Sequence, residues 1–170
     1  MKKIQIYTDG GALGNPGKGG YAAILVYNGH QKEISGGFQH TTNNRMELMA
    51  FLEALKRVKV PCEITLYSDS KFLVDSIAKG WAVRWRSQQW KRNKRQMAEN
   101  IDLWEELLKL MTPHQIQTVW VKGHSGHPEN ERCDELVKLA ASQENLPEDT
   151  GYDNQINLQQ LEITKQNNEL

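Results

Sequence analysis

Two neighbouring strands are predicted for residues 4–27, whose sequence is IQIYTDGGALGNPGKGGYAAILVY. At its start, Ile4 and Ile6 alternate with polar or amphipathic neighbours, which is the two-residue period of a β-strand. Residues 21–27 are apolar or aromatic and predict a second strand, and the glycine-rich residues 10–20 predict a turn between the two. Asn28-Gly29 then indicates a tight hairpin to a third strand. The pattern predicts an antiparallel meander.

Helical and strand patterns alternate along the rest of the chain. Predicted strands cover residues 31–39, 63–68 and 115–121, and predicted helices cover 43–58, 71–79, 101–111 and a segment from residue 128. Thr41-Thr42 and Ser70 stand where a side chain can cap a helix start. Because strands separated by helices join a sheet through crossovers, we expect three antiparallel strands extended by two further strands in a mixed α/β fold.

The composition is that of a globular protein, with 25% charged and 38% hydrophobic residues in a chain of 170. The longest apolar run, residues 21–27, is too short to cross a bilayer, and no apolar segment follows Lys2-Lys3 as in a secretory signal. Two cysteines are too few for a disulfide scaffold. We therefore expect a reduced, cytoplasmic protein with no membrane segment.

The zero net charge conceals a strong asymmetry. Residues 143–170 carry six acidic side chains and one lysine, which leaves 20 basic and 15 acidic residues in the rest of the chain. Residues 79–98, hereafter the basic segment, hold seven lysines and arginines and no acid. This block is typical of a surface for an anionic partner, although a solvated helix face has the same composition. For Trp85 and Trp90 within it we expect packing against the core.

The chain is predicted to end in a weakly ordered tail over residues 153–170. Eight of these residues are Asn or Gln, a composition that buries little apolar surface. Four apolar side chains in the tail could dock on the body of the protein: Ile156, Leu158, Leu161 and Ile163.

Four acidic residues stand at positions where charge is rarely found. Asp9 and Asp69 end predicted strands, while Glu47 and Asp134 lie on or beside the apolar sides of predicted helices. One such acid is usually a surface residue, but four at strand ends and inner helix faces suggest a shared cation. Hard oxygen ligands without paired thiols favour Mg²⁺ or Mn²⁺ over zinc.

Two other kinds of site are disfavoured. His124, His127 and Cys133 resemble part of a zinc site, but no suitably spaced fourth ligand accompanies them, and Cys133 fits the apolar face of its helix. Residues 17–22, GKGGYA, formally match a dinucleotide-binding fingerprint, but they open a strand where that motif must open a helix.

Six sequence runs, taken in order, resemble bacterial type 1 ribonuclease H. They are YTDGG at 7–11, GNPG at 14–17, TTNNRMEL at 41–48, YSDS at 67–70, WVKGHSGH at 120–127 and NERCDE at 130–135. Several motifs in the family's order are far more specific than any one of them. The resemblance covers about residues 1–152. It implies a ribonuclease H-like catalytic domain there, with a mixed five-stranded sheet flanked by helices on both sides, followed by the tail 153–170.

The resemblance implies an endonuclease that cleaves the RNA strand of RNA–DNA hybrids as a monomer, leaving 5′-phosphate and 3′-hydroxyl ends. By similarity, Asp9, Glu47, Asp69 and Asp134 are catalytic acids that bind metal, and His124 assists from a mobile loop. Two Mg²⁺ ions, which Mn²⁺ can replace, are implied. Held about 3.5–4 Å apart, such ions activate water and stabilise the leaving oxygen.

Substrate contacts carry over by the same resemblance. Asn15, Asn43 and Asn44 match residues that contact the minor groove of the hybrid, and Thr42 matches one that binds a phosphate of the DNA strand. Trp81 lies in the basic segment, which the family places over the DNA strand. At two further contact positions, Lys71 replaces a family Gln and Arg84 replaces a family Asn. Gly11 and Ala12 likewise replace a common Ser and Cys.

The same residues disfavour two rival functions. A non-catalytic hybrid-binding module would have lost at least one of the four acids, and all four are present. A related nuclease or integrase acting on DNA is disfavoured by the run Thr42-Asn43-Asn44 and by the basic segment.

Overall fold

The computed structural model describes residues 1–169 and shows a five-stranded mixed sheet. The strands are β1 (Lys2–Leu13), β2 (Gly17–Tyr27), β3 (His30–Thr41), β4 (Cys62–Ser68) and β5 (Gln115–Trp120). Their order across the sheet is β3-β2-β1-β4-β5. The β1–β2 and β2–β3 pairs are antiparallel, and the β1–β4 and β4–β5 pairs are parallel. The predicted mixed sheet is confirmed.

The helices connect and flank these strands. They are α1 (Asn43–Lys56), α2 (Lys71–Ala78), α3 (Trp81–Ser87), α4 (Ile101–Met111), α5 (Pro128–Ala141) and α6 (Thr150–Asn168). Within residues 1–169, no helix combines the length and the apolar character that spanning a membrane requires.

Apolar side chains cover both faces of the sheet. On β1, Ile4 and Ile6 belong to the larger cluster, which contains buried residues of α1 such as Phe51. Tyr7 packs in a second cluster with Cys133 of α5. Successive residues of one strand thus serve opposite layers, as the strand period requires. The expected burial of Cys133 in the core is confirmed.

The glycine-rich stretch predicted to be a turn is mostly paired strand. β1 continues to Leu13 and β2 begins at Gly17, so only the residues between them turn the chain, with Gly14 at a φ of 75°. At Gly10 a Cβ atom would overlap the backbone of α1. The prediction of a turn over 10–20 is therefore wrong in extent. Glycine serves here to let β1 approach α1 closely rather than to bend the chain.

Two predicted helix starts are confirmed by their caps. The Thr42 hydroxyl oxygen accepts a hydrogen bond from the Arg45 amide at 3.2 Å, and the Ser70 hydroxyl oxygen accepts one from the Leu73 amide at 3.2 Å. Each cap satisfies an amide that has no partner within its own helix. The caps fix α1 and α2 immediately after β3 and β4.

The basic segment is helical only in its first part, α3, and is largely irregular afterwards. Trp90 is buried, and the Trp85 ring packs edge-on against Trp104 of α4 with centroids 6.4 Å apart. The expected core packing of Trp85 and Trp90 is confirmed. Because these rings anchor the segment, its arginines and lysines remain exposed on the surface.

Helix α6 contains most of the tail that was expected to be weakly ordered, and Leu170 lies outside the described residues. Asp149 caps the helix by accepting a hydrogen bond from the Tyr152 amide at 3.3 Å, and the Gln155 side chain accepts one from the Asn100 amide at 2.7 Å. Both contacts are polar, and apolar patterning does not reveal them. Of the four apolar residues that could dock on the body of the protein, Ile156 is half-buried, and Leu158, Leu161 and Ile163 are exposed.

We expect a chain that ends at Ile156 to keep its stability. Residues 157–169 are exposed and the Gln155 contact is retained, so the melting temperature should change by no more than about 3 °C. Thermal unfolding of both chains checks this. A loss of about 10 °C would show that the end of α6 packs on the body of the protein.

Candidate active site

The pairing of β1 with β4 brings two of the predicted acids together. Thr8 lies opposite Ser68 in parallel register, so Asp9 and Asp69 follow at the same end of adjacent strands. The carboxyl ends of parallel strands are where ligands bind in sheets of this type. The Gly10 amide donates a hydrogen bond to Oδ1 of Asp9 at 2.9 Å, which holds that carboxylate in place.

Helix α1 supplies a third carboxylate. It lies against Gly10, which immediately follows Asp9, and carries the buried side chain of Glu47. One ligand atom from each of Asp9, Glu47 and Asp69 lies within 4.8 Å of the others. Within the described residues, Oε2 of Glu47 is buried and has no hydrogen-bond partner. A buried oxygen without a donor needs a compensating group, and a cation provides one.

Burial and repulsion disfavour negative charge on all three side chains. Burial, followed by the charge of Asp69, raises the pKa of Asp9 to about 7. The pKa of Glu47 lies well above its usual range because the side chain is buried and faces Asp9 and Asp69. Burial, with a contribution from Asp134, raises the pKa of Asp69. Three ionised carboxylates without a cation would therefore destabilise the folded protein. A hard divalent cation would compensate their charge.

In metal-free buffer at pH 8, we expect Asp9→Asn to be more stable than the parent protein by about 1–3 kcal/mol. Because folding raises the pKa of Asp9, its carboxyl contributes stability below its unfolded pKa of about 3.9. That contribution is lost as the pH rises through about 7. The advantage of the variant should shrink on lowering the pH to 4. Urea unfolding in EDTA at both pH values measures it, and equal stabilities at pH 8 would contradict the expectation.

The fourth predicted acid stands apart from this group. Asp134 lies on α5, close enough to influence the pKa of Asp9 and of Asp69, but it is not among the three converging carboxylates. Its Oδ2 pairs with Nζ of Lys138, one helical turn away, at 2.9 Å. The structure thus brings together three of the four acids and pairs the fourth with a lysine.

His124 lies in the loop between β5 and α5. It is exposed and has a φ of 56°, and its charge opposes the rise in the pKa of Asp69. A Cβ atom at the neighbouring Gly123 would lie 3.1 Å from Oδ2 of Asp69. The predicted assisting histidine therefore borders the acidic group on a loop that passes next to Asp69.

The predicted groove-contacting residues form one surface at the start of α1. Oδ1 of Asn15 accepts a hydrogen bond from the Asn43 amide at 3.0 Å, and Oδ1 of Asn43 accepts one from the Ala12 amide at 2.6 Å. Both side chains are exposed, as is Asn44, and their amide NH₂ groups meet no acceptor among residues 1–169. Thr42 lies beside them as the cap of α1.

The remaining predicted contacts lie on α2 and α3. Lys71 is exposed at the first turn of α2, and Arg84 is exposed on α3. Trp81 begins α3, half-buried, with Nζ of Lys79 5.3 Å from its ring centroid. Lys71 precedes the basic segment in the chain, and Trp81 and Arg84 lie within it.

Sequence reasoning missed an ion-pair network centred on Arg45. Its guanidinium is 1% exposed and donates to both oxygens of Asp149 at 2.8 and 3.0 Å, and to both oxygens of Asp102 at 2.9 and 2.8 Å. The Thr41 hydroxyl also donates to Asp149, at 2.7 Å. The sequence contains one indication that Arg45 is buried, because Arg45 directly precedes the apolar Met46 in a helix that is largely buried. The sequence could not say which acids would meet it.

Fold and site together define the class of protein. It is an α/β protein in which carboxylates from two parallel strands and one helix form an acidic group that can hold a metal ion. A family model, RNase H, matches residues 1–142. The chain belongs to the ribonuclease H family.

Known relatives agree with this assignment. The chain is 56% identical to the ribonuclease H of Rippkaea orientalis over 153 residues, which cover 90% of this chain and 94% of the relative. It is 54% identical to the ribonuclease H of Aeromonas salmonicida over 152 residues, which cover 89% and 98%. The resemblance to bacterial type 1 enzymes is confirmed, and the chain is an endoribonuclease of this family.

A solved structure has the same fold and a described ligand. LC11-RNase H1 in complex with an RNA/DNA hybrid is 25% identical, with a TM-score of 0.61 over 81% of this chain and 96% of that chain.

Proposed function

We propose that the protein hydrolyses the RNA strand of RNA–DNA hybrids with two Mg²⁺ ions, which Mn²⁺ can replace, and leaves 5′-phosphate and 3′-hydroxyl ends. The observation that carries the proposal is the approach of Asp9, Glu47 and Asp69 to within 4.8 Å at the ends of parallel strands. The hybrid bound to a structural relative supports the substrate class. We further propose that it acts as a monomer in the cytoplasm.

Each acidic side chain has a proposed role. Asp9 and Asp69 are central metal ligands because the strand ends that carry them are rigid, and Asp134 completes the set from α5. Bound there, divalent cations would activate water and stabilise the leaving 3′ oxygen. Glu47 also accepts a hydrogen bond from the ribose 2′-hydroxyl, the group that separates RNA from DNA. His124 moves a proton or assists product release.

The substrate lies across two surfaces in this proposal. Asn15, Asn43 and Asn44 present exposed amide groups to the minor groove of the hybrid, where such groups can donate to base edges and 2′-hydroxyls. Thr42 and the exposed Arg84 bind phosphates of the DNA strand. Lys71 and Trp81, at the starts of α2 and α3, contact the substrate between these two surfaces.

Neutralising the basic segment should weaken substrate binding and spare the chemistry. The change replaces six exposed cations with glutamine: Arg84, Arg86, Lys91, Arg92, Lys94 and Arg95. We expect KM to rise several-fold at moderate salt while kcat changes little, because the acidic group is untouched. The salt slope should flatten by about 0.7–0.9 for each phosphate that the protein no longer neutralises.

Steady-state kinetics on a hybrid across a salt series checks this expectation. Glutamine at Lys32, Lys59 and Lys109, which are exposed outside the basic segment, provides a control that also lowers the net charge. If KM and the salt slope stay at the parent values, the basic segment is only a solvated face.

The proposed chemistry is tested by the ends that it leaves. The purified protein is incubated with a hybrid in EDTA, in Mg²⁺ and in Mn²⁺, and the RNA fragments are treated with phosphatase or with a ligase that needs a 5′-phosphate. We expect cleavage only with a divalent cation and fragments that ligate without prior phosphorylation. Fragments with cyclic phosphates or 3′-phosphates would refute the two-metal proposal. Such ends form when the ribose 2′-hydroxyl, and not a water molecule, is the nucleophile.

A further inference from the structure

The turn that carries Asp69 is covered by the chain that follows β5. Ser68 of β4 lies opposite Trp120 in parallel register, and the Val121 amide donates a hydrogen bond to the Ser68 carbonyl at 2.9 Å. Two residues further on, Gly123 passes so close that a Cβ atom would lie 3.1 Å from Oδ2 of Asp69. A side chain at position 123 would therefore press against the Asp69 carboxylate.

The side chain of Trp120 makes a specific contact with the same turn. Its indole Nε1–H donates a hydrogen bond to the main-chain oxygen of Asp69 at 3.2 Å. Yet Trp120 is 51% exposed, whereas Trp104, which serves the core, is fully buried. A tryptophan half in solvent forgoes much of the stabilisation that burial of so large a ring gives. Hydrophobic packing therefore accounts for this residue only in part, and the hydrogen bond that its indole makes goes to Asp69.

We propose that Trp120 is a positioning residue, which fixes the main chain at Asp69 and through it the direction of the Asp69 carboxylate. The inference rests on the proposed function of Asp69 as a metal ligand. Beyond Asp69, Ser70 caps α2, so the peptide group between β4 and α2 is held at one end by the sheet and at the other by the cap. The indole holds the carbonyl between these two points.

The expected size of the effect follows from how sensitive such sites are to geometry. A neutral hydrogen bond in a partly exposed place adds little to stability. A displacement of about 1 Å in a reacting group, by contrast, can cost roughly 100-fold in rate. Loss of the indole donor should therefore affect metal binding and kcat far more than it affects folding.

The test removes the donor and keeps the ring. In one variant Trp120 is replaced by β-(3-benzothienyl)alanine, which has sulfur in place of the indole N–H, and a second variant is Trp120→Phe. Val119→Thr, which changes polarity with little change in shape at the neighbouring exposed residue of β5, is the control. Readouts are Mg²⁺ affinity by calorimetry, kcat and KM on a hybrid, and melting temperature.

For both Trp120 variants we expect kcat to fall roughly 5- to 50-fold and Mg²⁺ affinity to weaken several-fold. KM and the melting temperature should stay close to those of the parent and of Val119→Thr. Parent values of kcat and Mg²⁺ affinity would overturn the proposal. So would a rise in KM at constant kcat, which would make Trp120 a substrate contact, and so would a loss of kcat that only follows the unfolded fraction.

Asp69→Asn, measured in parallel, separates this inference from the function on which it rests. If the parent cleaves hybrids, Asp69→Asn does not, and the Trp120 variants match the parent, only the inference fails. If the parent leaves hybrids intact, the proposed function fails, and Mg²⁺ calorimetry on the Trp120 variants still decides whether Trp120 positions Asp69.

Discussion

Asp69→Asn is expected to lower the rate of hybrid cleavage by about 1,000-fold or more and to leave the fold intact. The variant keeps the shape of the side chain and removes the charge that, in the proposed function, holds a cation between β1 and α1. Charge stabilisation by bound metal is worth several kcal/mol at the transition state, and each 1.36 kcal/mol is tenfold in rate. Since the pKa of Asp69 is raised by burial and by Asp134, its ionised form is costly without metal. Folding should therefore not suffer.

Single-turnover cleavage of a labelled hybrid in Mg²⁺, with circular dichroism of the same samples, measures both parts of this expectation. Asp153→Asn is a matched control, because it makes the same chemical change on α6, outside the acidic group. Cleavage by Asp69→Asn near the parent rate, with Mg²⁺ as the only metal, would remove Asp69 from the site. An unfolded variant would instead assign this residue to the stability of the fold.

Arg45→Met is expected to destabilise the protein by about 3–5 kcal/mol. The substitution has a similar volume but leaves Asp149, which is 4% exposed, without its guanidinium partner. An uncompensated buried carboxylate is one of the costliest defects a core can contain. At about 2–4 °C per kcal/mol for a chain of this size, the melting temperature should fall by about 6–20 °C.

Urea unfolding at pH 7 tests the Arg45 expectation. Arg132→Met is the control, because Arg132 also pairs with two carboxylates, those of Glu33 and Glu135, but does so in solvent. That variant should remain close to the parent, since exposed ion pairs are screened. If the two substitutions have equal effects, burial is not what gives the Arg45 network its strength.

The features that were predicted correctly are those that depend on local sequence pattern. Ile4 and Ile6 predict β1 because a strand period is a local property, and the caps at Thr42 and Ser70 are equally local. The positions of Asp9 and Asp69 at strand ends suggested a shared cation, but the adjacency of β1 and β4 that brings them together is known only from the structure. Local patterns thus predicted the mixed sheet and the candidate acids, whereas the strand order that brings two of these acids together did not follow from them.

What the sequence did not reveal depends on partners distant in the chain. The role of Gly10 is set by α1, and the order of α6 by Asp149 and by the contact between Gln155 and Asn100. The pairing of Asp134 with Lys138 is an exception. It could have been predicted from the sequence, because side chains four residues apart on a helix lie next to each other. It does not follow from the resemblance, which concerns the acid alone.

The most direct test of the central claim is strand selectivity. A single RNA–DNA duplex is labelled on the RNA strand in one sample and on the DNA strand in another, and both are incubated with the purified protein in Mg²⁺ beside RNA–RNA and DNA–DNA duplexes of the same sequence. We predict that only the RNA strand of the hybrid is cut and that EDTA abolishes the cutting. Cleavage of the DNA strand, comparable cleavage of the RNA–RNA duplex, or full activity in EDTA would contradict the account.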